Sequence, residues 1–289
     1  NLHHNLAYLR SELLTNHKVA GYIAEAVSGG QYQGVVLLLI DGLSYSDVLH
    51  WDLDIRPCFI DGPSITYGLH PETNEVLPSV GFAAIVGSPL VAERLYHLGY
   101  RNACGYTYWS SQDNVVSRHL FGGIANTPTT NFEMILRLIE EREFHSNSYI
   151  QIVREGLDGL AHGKRELRPA EVEIAADGIR RDIERLATVL REKFERAVIY
   201  VISDHGVLWK NEHESDWAIL NQEGSKARYS TQRPSEYMIG HTTRVERSNI
   251  PYYLYHYPYL GAPIRKNDSG VHGGLSYQES IVPFMKIEV

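Results

Sequence analysis

Four short stretches of the chain carry residues able to bind a cation and activate an oxygen. In Asp158-Gly-Leu-Ala-His162 a carboxylate and an imidazole stand four residues apart. On a helical turn that spacing puts both on one face, within reach of one ion; a solvated helix start is the plainer reading of the same five residues. Asp204-His205-Gly206 follows an apolar run, and its glycine permits an abrupt turn. The alternative here is an aspartate that caps the next helix, with the histidine packed beside it. Asp41-Gly42, taken singly, reads as a turn, and a lone histidine such as His272 in Val271-His272-Gly273-Gly274 is ordinarily a surface residue. Together, Asp41, Asp158, His162, Asp204, His205 and His272 offer six oxygen and nitrogen ligands, enough for two divalent ions of the zinc, manganese or magnesium kind. A pair of such ions about 4 Å apart lowers the pKa of a bound hydroxyl or water and holds the attacking and leaving oxygens of an in-line displacement.

The elements that would position these residues are legible nearby. Val35–Ile40 is a continuous apolar run, too short for a typical helix and rich in branched residues, as expected of a strand buried on both faces. The same grammar recurs in Tyr149–Val153 before Asp158 and in Ala197–Ile202 before Asp204. Helical patterns over Pro89–Leu98, Asn131–Arg142 and Pro169–Phe194 lie between them. Strands alternating with helices predict an α/β fold, a mostly parallel central sheet with helices on both faces, whose ligands gather beyond the carboxyl ends of the strands. Residues 1–30 read as lead-in helices closed by Ser28-Gly29-Gly30, and residues 31–289 as one catalytic domain. A polar, tyrosine-rich stretch from about Asn211 to Gly270 reads as a cap or insertion over the site. Tyr252–Tyr259, near its end, fits either core packing in a strand or a platform for stacking bases.

The chain has 289 residues, 43% hydrophobic and 21% charged, which excludes disordered and collagenous classes. No segment approaches the roughly 20 apolar residues of a membrane span, and the residues given begin without a leader-like segment. Cys58 and Cys104 lack a C-x-x-C spacing and are too few for a disulfide framework, so reduced thiols and a cytoplasmic setting are expected. A net charge of -8 argues against broad attraction to nucleic acid. A nucleotide substrate stays compatible, because bound divalent ions supply local positive charge.

The ordered pattern of Asp41 after a strand, D-x-x-x-H at 158 to 162, Asp-His-Gly at 204 to 206 and a final His272 resembles the alkaline phosphatase superfamily. The closing stretch His272-Gly-Gly-Leu-Ser-Tyr-Gln-Glu-Ser-Ile-Val-Pro-Phe looks like its PglZ branch. The resemblance implies one metal on Asp158, His162 and His272, and a second on Asp41, Asp204 and His205 with a nucleophilic hydroxyl or a water. PglZ-like members tend to read Pro-Ser-x-Thr ahead of a glycine and a short apolar helix. Here that pattern is split: Pro63-Ser64-Ile65-Thr66 has the four residues, but Gly81–Val86 follows only after Leu77-Pro78-Ser79-Val80. Thr66 keeps the motif's threonine; Ser79 has the better local position, where helix-end amides favour phosphate.

Either hydroxyl would give a covalent phospho-enzyme, later opened by water. Arg154 and Lys210 are candidate phosphate contacts or plain surface charges. The resemblance implies a phosphodiesterase acting on a nucleotide or oligonucleotide, with protein partners in a bacterial phage-defence or signalling system and no membrane partner. Phosphomonoesterase activity is an alternative; a sulfatase would need a modifiable cysteine at the nucleophile position, where neither cysteine lies. A non-enzymatic, metal-stabilised interaction module is the competing class, favoured by the split nucleophile motif.

Overall fold

The computed structural model describes residues 2–109, 114–163, 167–210 and 217–289. Its central strand is the first apolar run, Gly34–Asp41, every residue of which is buried. Alternate side chains leave opposite faces of a strand. Val36, Leu38 and Ile40 join one core cluster with Ile179 and Ile183, while Val35, Leu37 and Leu39 join another with Val19, Ile23 and Phe82. Both faces are covered, so the strand has no polar alternation.

The helices of six residues or more are α1 (Leu6–Glu12), α2 (Val19–Val27), α3 (Gly81–Val86), α4 (Val91–His97), α5 (Asn114–Phe121), α6 (Phe132–Glu141), α7 (Asp158–Gly163) and α8 (Pro169–Lys193). In chain order the strands are β1 (Leu14–Thr15), β2 (Gly34–Asp41), β3 (Ile55–Phe59), β4 (Asn102–Thr107), β5 (Ala125–Pro128), β6 (Ser148–Glu155), β7 (Ala197–Ser203) and β8 (Leu208–Trp209). They continue as β9 (Ala218–Ile219), β10 (Tyr229–Ser230), β11 (Thr242–Arg247), β12 (Ile250–Tyr255), β13 (Tyr259–Leu260), β14 (Gly270–Val271) and β15 (Ile281–Glu288).

Eight of them form the main sheet in the order β1-β3-β15-β7-β2-β6-β4-β5. Only β15 runs against its neighbours β3 and β7; the other pairs are parallel. The sheet is therefore mostly parallel, with α6 and α8 packed on one face and α2 to α5 on the other. Its three central strands end in register, Asp41 opposite Glu155 on β6 and Ile40 opposite Ser203 on β7. Asp41, Asp158 and Asp204 thereby leave the carboxyl edge side by side.

The segment ahead of β2 packs on the main sheet. Leu14 and Thr15 add the edge strand β1 to β3, and Val19, Ala20, Ile23 and Val27 of α2 lie in the same cluster as Tyr100 and Phe284. Farther along, β10, β12 and β11 make a separate three-stranded antiparallel sheet. Its Val245, Tyr252 and Leu254 pack on Phe59, Ile65, Leu275 and Ile281. Asn211, where the sequence suggests that the insertion begins, lies outside the described residues. Tyr252, Tyr253 and Tyr255 are buried, so these tyrosines pack the core and offer no face for stacking a base. Among the described residues no helix is long and apolar enough to cross a membrane.

The split motif is rejoined in space. Residues 67–80 fold back on themselves through a Leu69–Val76 bridge, with Leu77 N–H donating to Gly68 O at 2.9 Å. Phe82 N–H then donates to the carbonyl of Thr66 at 3.0 Å, so α3 begins against the end of Pro63-Ser64-Ile65-Thr66. Gly81 makes this approach possible: its φ is +60°, and a Cβ there would collide with the Thr66 carbonyl. We expect Gly81→Ala to destabilise the fold by about 3 kcal/mol or more, read as a drop in the denaturant midpoint, whereas Gly21→Ala, where added bulk meets nothing within 4 Å, should be tolerated.

Candidate metal centre

At the carboxyl edge of the sheet the buried side chains of Asp41, Asp204 and His205 form one group, and Asp158, His205 and His272 a second. Each group offers one ligand atom per residue, all within 4.8 Å of one another. His205 Nε2 lies 3.4 Å from Asp41 Oδ1 and 3.6 Å from Asp204 Oδ2. In the second group His272 Nε2 is 3.3 Å from Asp158 Oδ1. His162 closes it from the solvent side, with Nε2 3.4 Å from Asp158 Oδ1 and 3.3 Å from His272 Nε2. Four ligands held tetrahedrally at about 2.0 Å from an ion stand roughly 3.3 Å apart. All six residues singled out in the sequence thus meet at one place, at the spacing that first-row metal ligands require.

Two carboxylates each keep one buried oxygen without a hydrogen-bond partner. Asp204 Oδ1 accepts the backbone N–H groups of Gly42 at 3.1 Å and His205 at 3.0 Å, while its fully buried Oδ2 has no hydrogen-bond partner. Asp158 Oδ1 is likewise buried without one, although two imidazole nitrogens crowd it. Buried oxygens are rarely left so; Asp204 belongs to the first group and Asp158 to the second, and each bare oxygen fits a cation held there. The imidazoles are oriented to match. His205 Nδ1 donates to Gly206 O at 3.0 Å, His272 Nδ1 to Ser64 O at 2.9 Å, and His162 Nδ1 pairs with Asp268 Oδ2 at 3.2 Å. In each ring the bonded Nδ1 leaves the Nε2 lone pair for a metal.

The electrostatics point the same way. Burial raises Asp204 to about 8. Burial also raises Asp158, but His162, His272 and His205 outweigh it and hold the acid below the usual carboxylate range. Burial disfavours charge on His205, yet Asp204, Asp41 and Asp158 override it and raise that imidazole to about 10. His272 is lowered to about 4 by burial, then by His205, whose ring stacks on it at 4.0 Å. This cluster of carboxylates draws positive charge to itself, while the lowered His272 favours a neutral imidazole.

Thr66 is the hydroxyl that the fold delivers here. Its Oγ1 donates to Asp41 Oδ1 at 3.1 Å and lies 3.2 Å from His205 Nε2. Ser79, the other candidate nucleophile, is elsewhere: Val80 is the N-cap of α3, and Ser79 Oγ pairs with Ser248 Oγ at 2.7 Å. The two basic candidates also fall outside the centre. Arg154 turns to α8, where its guanidinium binds Asp182 and the Glu155 carbonyl; it lines a different cleft, with Glu133 and Arg185. Lys210 continues from β8, donating its backbone N–H to Ser269 O at 2.7 Å, and does not line the cleft above the metal ligands.

Two residues missed in the sequence support the ligands. Tyr108 donates its hydroxyl to Asp41 Oδ2, and buried Asp268 holds His162. A third support is a fully buried ion pair. Arg228 donates to Glu279 at 2.9 and 2.8 Å and to the Tyr255 carbonyl at 2.9 Å, while Glu279 Oε1 accepts Gly274 N–H at 3.0 Å. The loop carrying His272 is thereby fastened to the three-stranded sheet. Above His162, His272 and Thr66 opens a cleft of about 530 Å³, also lined by Tyr67, Tyr229, Lys226 and Arg265.

No protein-family model matches the chain, and no curated protein matches it in sequence. Solved structures do. Human ectonucleotide pyrophosphatase/phosphodiesterase 5 superposes over 87% of this chain and 87% of its own, with a TM-score of 0.53 and 14% identity. The murine protein does so over 86% and 87%, with a TM-score of 0.52 and 11% identity; its inactive variant in complex with AMP covers the same shares at 0.50 and 12%. The fold is of the alkaline phosphatase type. In this alkaline phosphatase-type sheet the six candidate ligands and Thr66 occupy the carboxyl edge, where α/β sheets place their sites.

Asp268 is not among the six candidate ligands and contacts His162 Nδ1, so its substitution isolates the orienting role. Asp268→Asn should weaken zinc binding about 10- to 100-fold, measured by competition with a chelator; an unchanged affinity would show that His162 needs no partner.

Proposed function

We propose that the chain is a metal-dependent phosphodiesterase that cleaves a nucleotide or oligonucleotide through a covalent intermediate in which Thr66 Oγ1 is esterified to the substrate's phosphorus. The observation that carries this reading is the position of Thr66 Oγ1, in contact with Asp41 and His205 and open to the cleft. The spacing of the six ligands suits zinc, with Asp158, His162 and His272 as one set and Asp41, Asp204 and His205 as the other. When bound, two such ions supply Lewis-acid chemistry: they make a hydroxyl acidic and neutralise phosphoryl oxygens. Three carboxylates against two divalent cations leave the site net positive, which suits an anionic ester.

The chain's own residues account for the rest. Thr66 presents Oγ1 from a loop braced by α3, and its orientation is set by the Asp41 and His205 contacts. Tyr108 holds Asp41 from behind. In the first displacement Oγ1 forms a bond to phosphorus, losing its proton to solvent, as the bond to the leaving alcohol breaks and that oxygen is protonated. Water then hydrolyses the Thr66 phosphodiester, breaking the Oγ1–phosphorus bond, restoring the Thr66 hydroxyl and releasing a phosphomonoester.

A nucleoside suits the cleft because Tyr67, adjacent to Thr66, is 40% exposed there and offers a base a stacking face. The AMP held by the murine neighbour supports the same choice. The PglZ-like closing stretch supports a role in bacterial defence or signalling. The rejoined nucleophile motif removes the feature that favoured an interaction module.

With zinc added, the protein should cleave bis-p-nitrophenyl phosphate, and Thr66→Ala should lower the rate on the order of a thousandfold. Ser79→Ala should stay within about twofold, since its hydroxyl is spent on Ser248. Acid quenching should trap p-nitrophenyl phosphate esterified to Thr66, read by mass spectrometry; full activity of Thr66→Ala would overturn the assignment.

A further inference from the structure

The cleft over the metal centre has an unusual balance of charge. The chain carries a net charge of -8, and most arginines whose contacts are described are paired: Arg10 with Asp61, Arg154 with Asp182, Arg180 with Glu184, Arg228 with Glu279. Lys226 and Arg265 are exceptions. Both are exposed, both line this cleft, and among the described residues neither side chain has a hydrogen-bond or ion-pair partner. Among its described lining residues Asp268 is the one carboxylate, and it is taken by His162. The second large cleft, by contrast, sets Arg154 and Arg185 against Glu133, Glu155 and Asp182, so it has no surplus positive charge.

The cations are also presented from anchored loops. Lys226 stands two residues from Arg228, which is locked to Glu279, and its N–H donates to Tyr229 O at 2.9 Å. The Arg265 carbonyl accepts Asp268 N–H at 3.0 Å, and Asp268 is fastened to His162. One cation therefore rides on the inserted sheet and the other on the turn before the His272 loop, with the reacting centre beside them.

The geometry points to a subsite for a second phosphate, in which Lys226 and Arg265 hold a phosphate of the substrate other than the one attacked by Thr66. This rests on the phosphodiesterase reading and narrows it: the substrate carries at least two phosphates, as a terminal phosphate or as a neighbouring diester. A neutral or singly charged ester would leave the two cations unused. Arg265 suits bidentate contact with phosphate oxygens, and Lys226 acts as a mobile point charge.

The zinc-loaded protein is tested on TpT, on pTpT and TpTp, and on TpTpT. The expected result is a kcat/KM at least about tenfold higher for a doubly phosphorylated substrate than for TpT, shrinking as salt rises because exposed charges are screened. Preference for pTpT or TpTp identifies a terminal phosphate, and preference for TpTpT alone a neighbouring diester. The ratio should fall toward unity in the Lys226→Ala/Arg265→Ala double variant and survive in Lys226→Arg. Equal handling of all four substrates by the wild type, or an unchanged ratio in the double variant, would overturn the subsite. Should no diester be cleaved at all, the phosphodiesterase reading fails by itself; the subsite is then judged by calorimetric binding of pTpT, TpTp, TpTpT and TpT to zinc-loaded Thr66→Ala, where equal affinity for all four overturns it.

Discussion

Asp41, Asp158 and Asp204 are brought together at the ends of three adjacent buried strands, and the repulsion among their carboxylates is the constraint on which the rest of the site depends. Charges so placed are tolerated in a dry interior only when matched by positive charge and by hydrogen bonds. Here backbone N–H groups satisfy one oxygen of Asp204 and a tyrosine hydroxyl one oxygen of Asp41. The oxygens left over face inward, toward three imidazoles whose other nitrogens are already committed. Divalent ions complete this arrangement more fully than protons do, since they satisfy the bare oxygens and the free Nε2 lone pairs together.

Everything around the cluster serves to hold it in register. The sheet supplies Asp41 and Asp204, the first turn of α7 supplies Asp158 and His162, and the loop before the short helix Tyr277–Ser280 supplies His272. That loop is the least regular element, and it is the one with the buried Arg228–Glu279 pair beneath it. A buried ion pair contributes little net stability, but removing one partner is costly, so such pairs fix geometry more than they add free energy. The same pair joins the three-stranded sheet to the loop that carries His272.

Much of this was legible in the sequence, and the reasons differ by residue. The three strands were readable because a strand buried on both faces must be apolar throughout, and the six candidate residues because each stands at the end of such a strand or beside a glycine. Thr66 could not be separated from Ser79, since fourteen residues, 67–80, loop out between the threonine and the helix it belongs with. Arg154 misled because sequence proximity to Asp158 says nothing about direction; the strand turns its side chain toward Asp182 on α8. Tyr108 and Asp268 carry no local signal at all, and their roles exist only once distant segments meet.

The central claim is that six named side chains and Thr66 surround two divalent ions. Crystals grown with zinc and measured at its absorption edge test it most directly. The account predicts two anomalous peaks about 4 Å apart, one among Asp158, His162 and His272, the other among Asp41, Asp204 and His205 with Thr66 Oγ1 beside it. No peak at these residues, with Asp158 and Asp204 paired instead to protonated imidazoles, would contradict it.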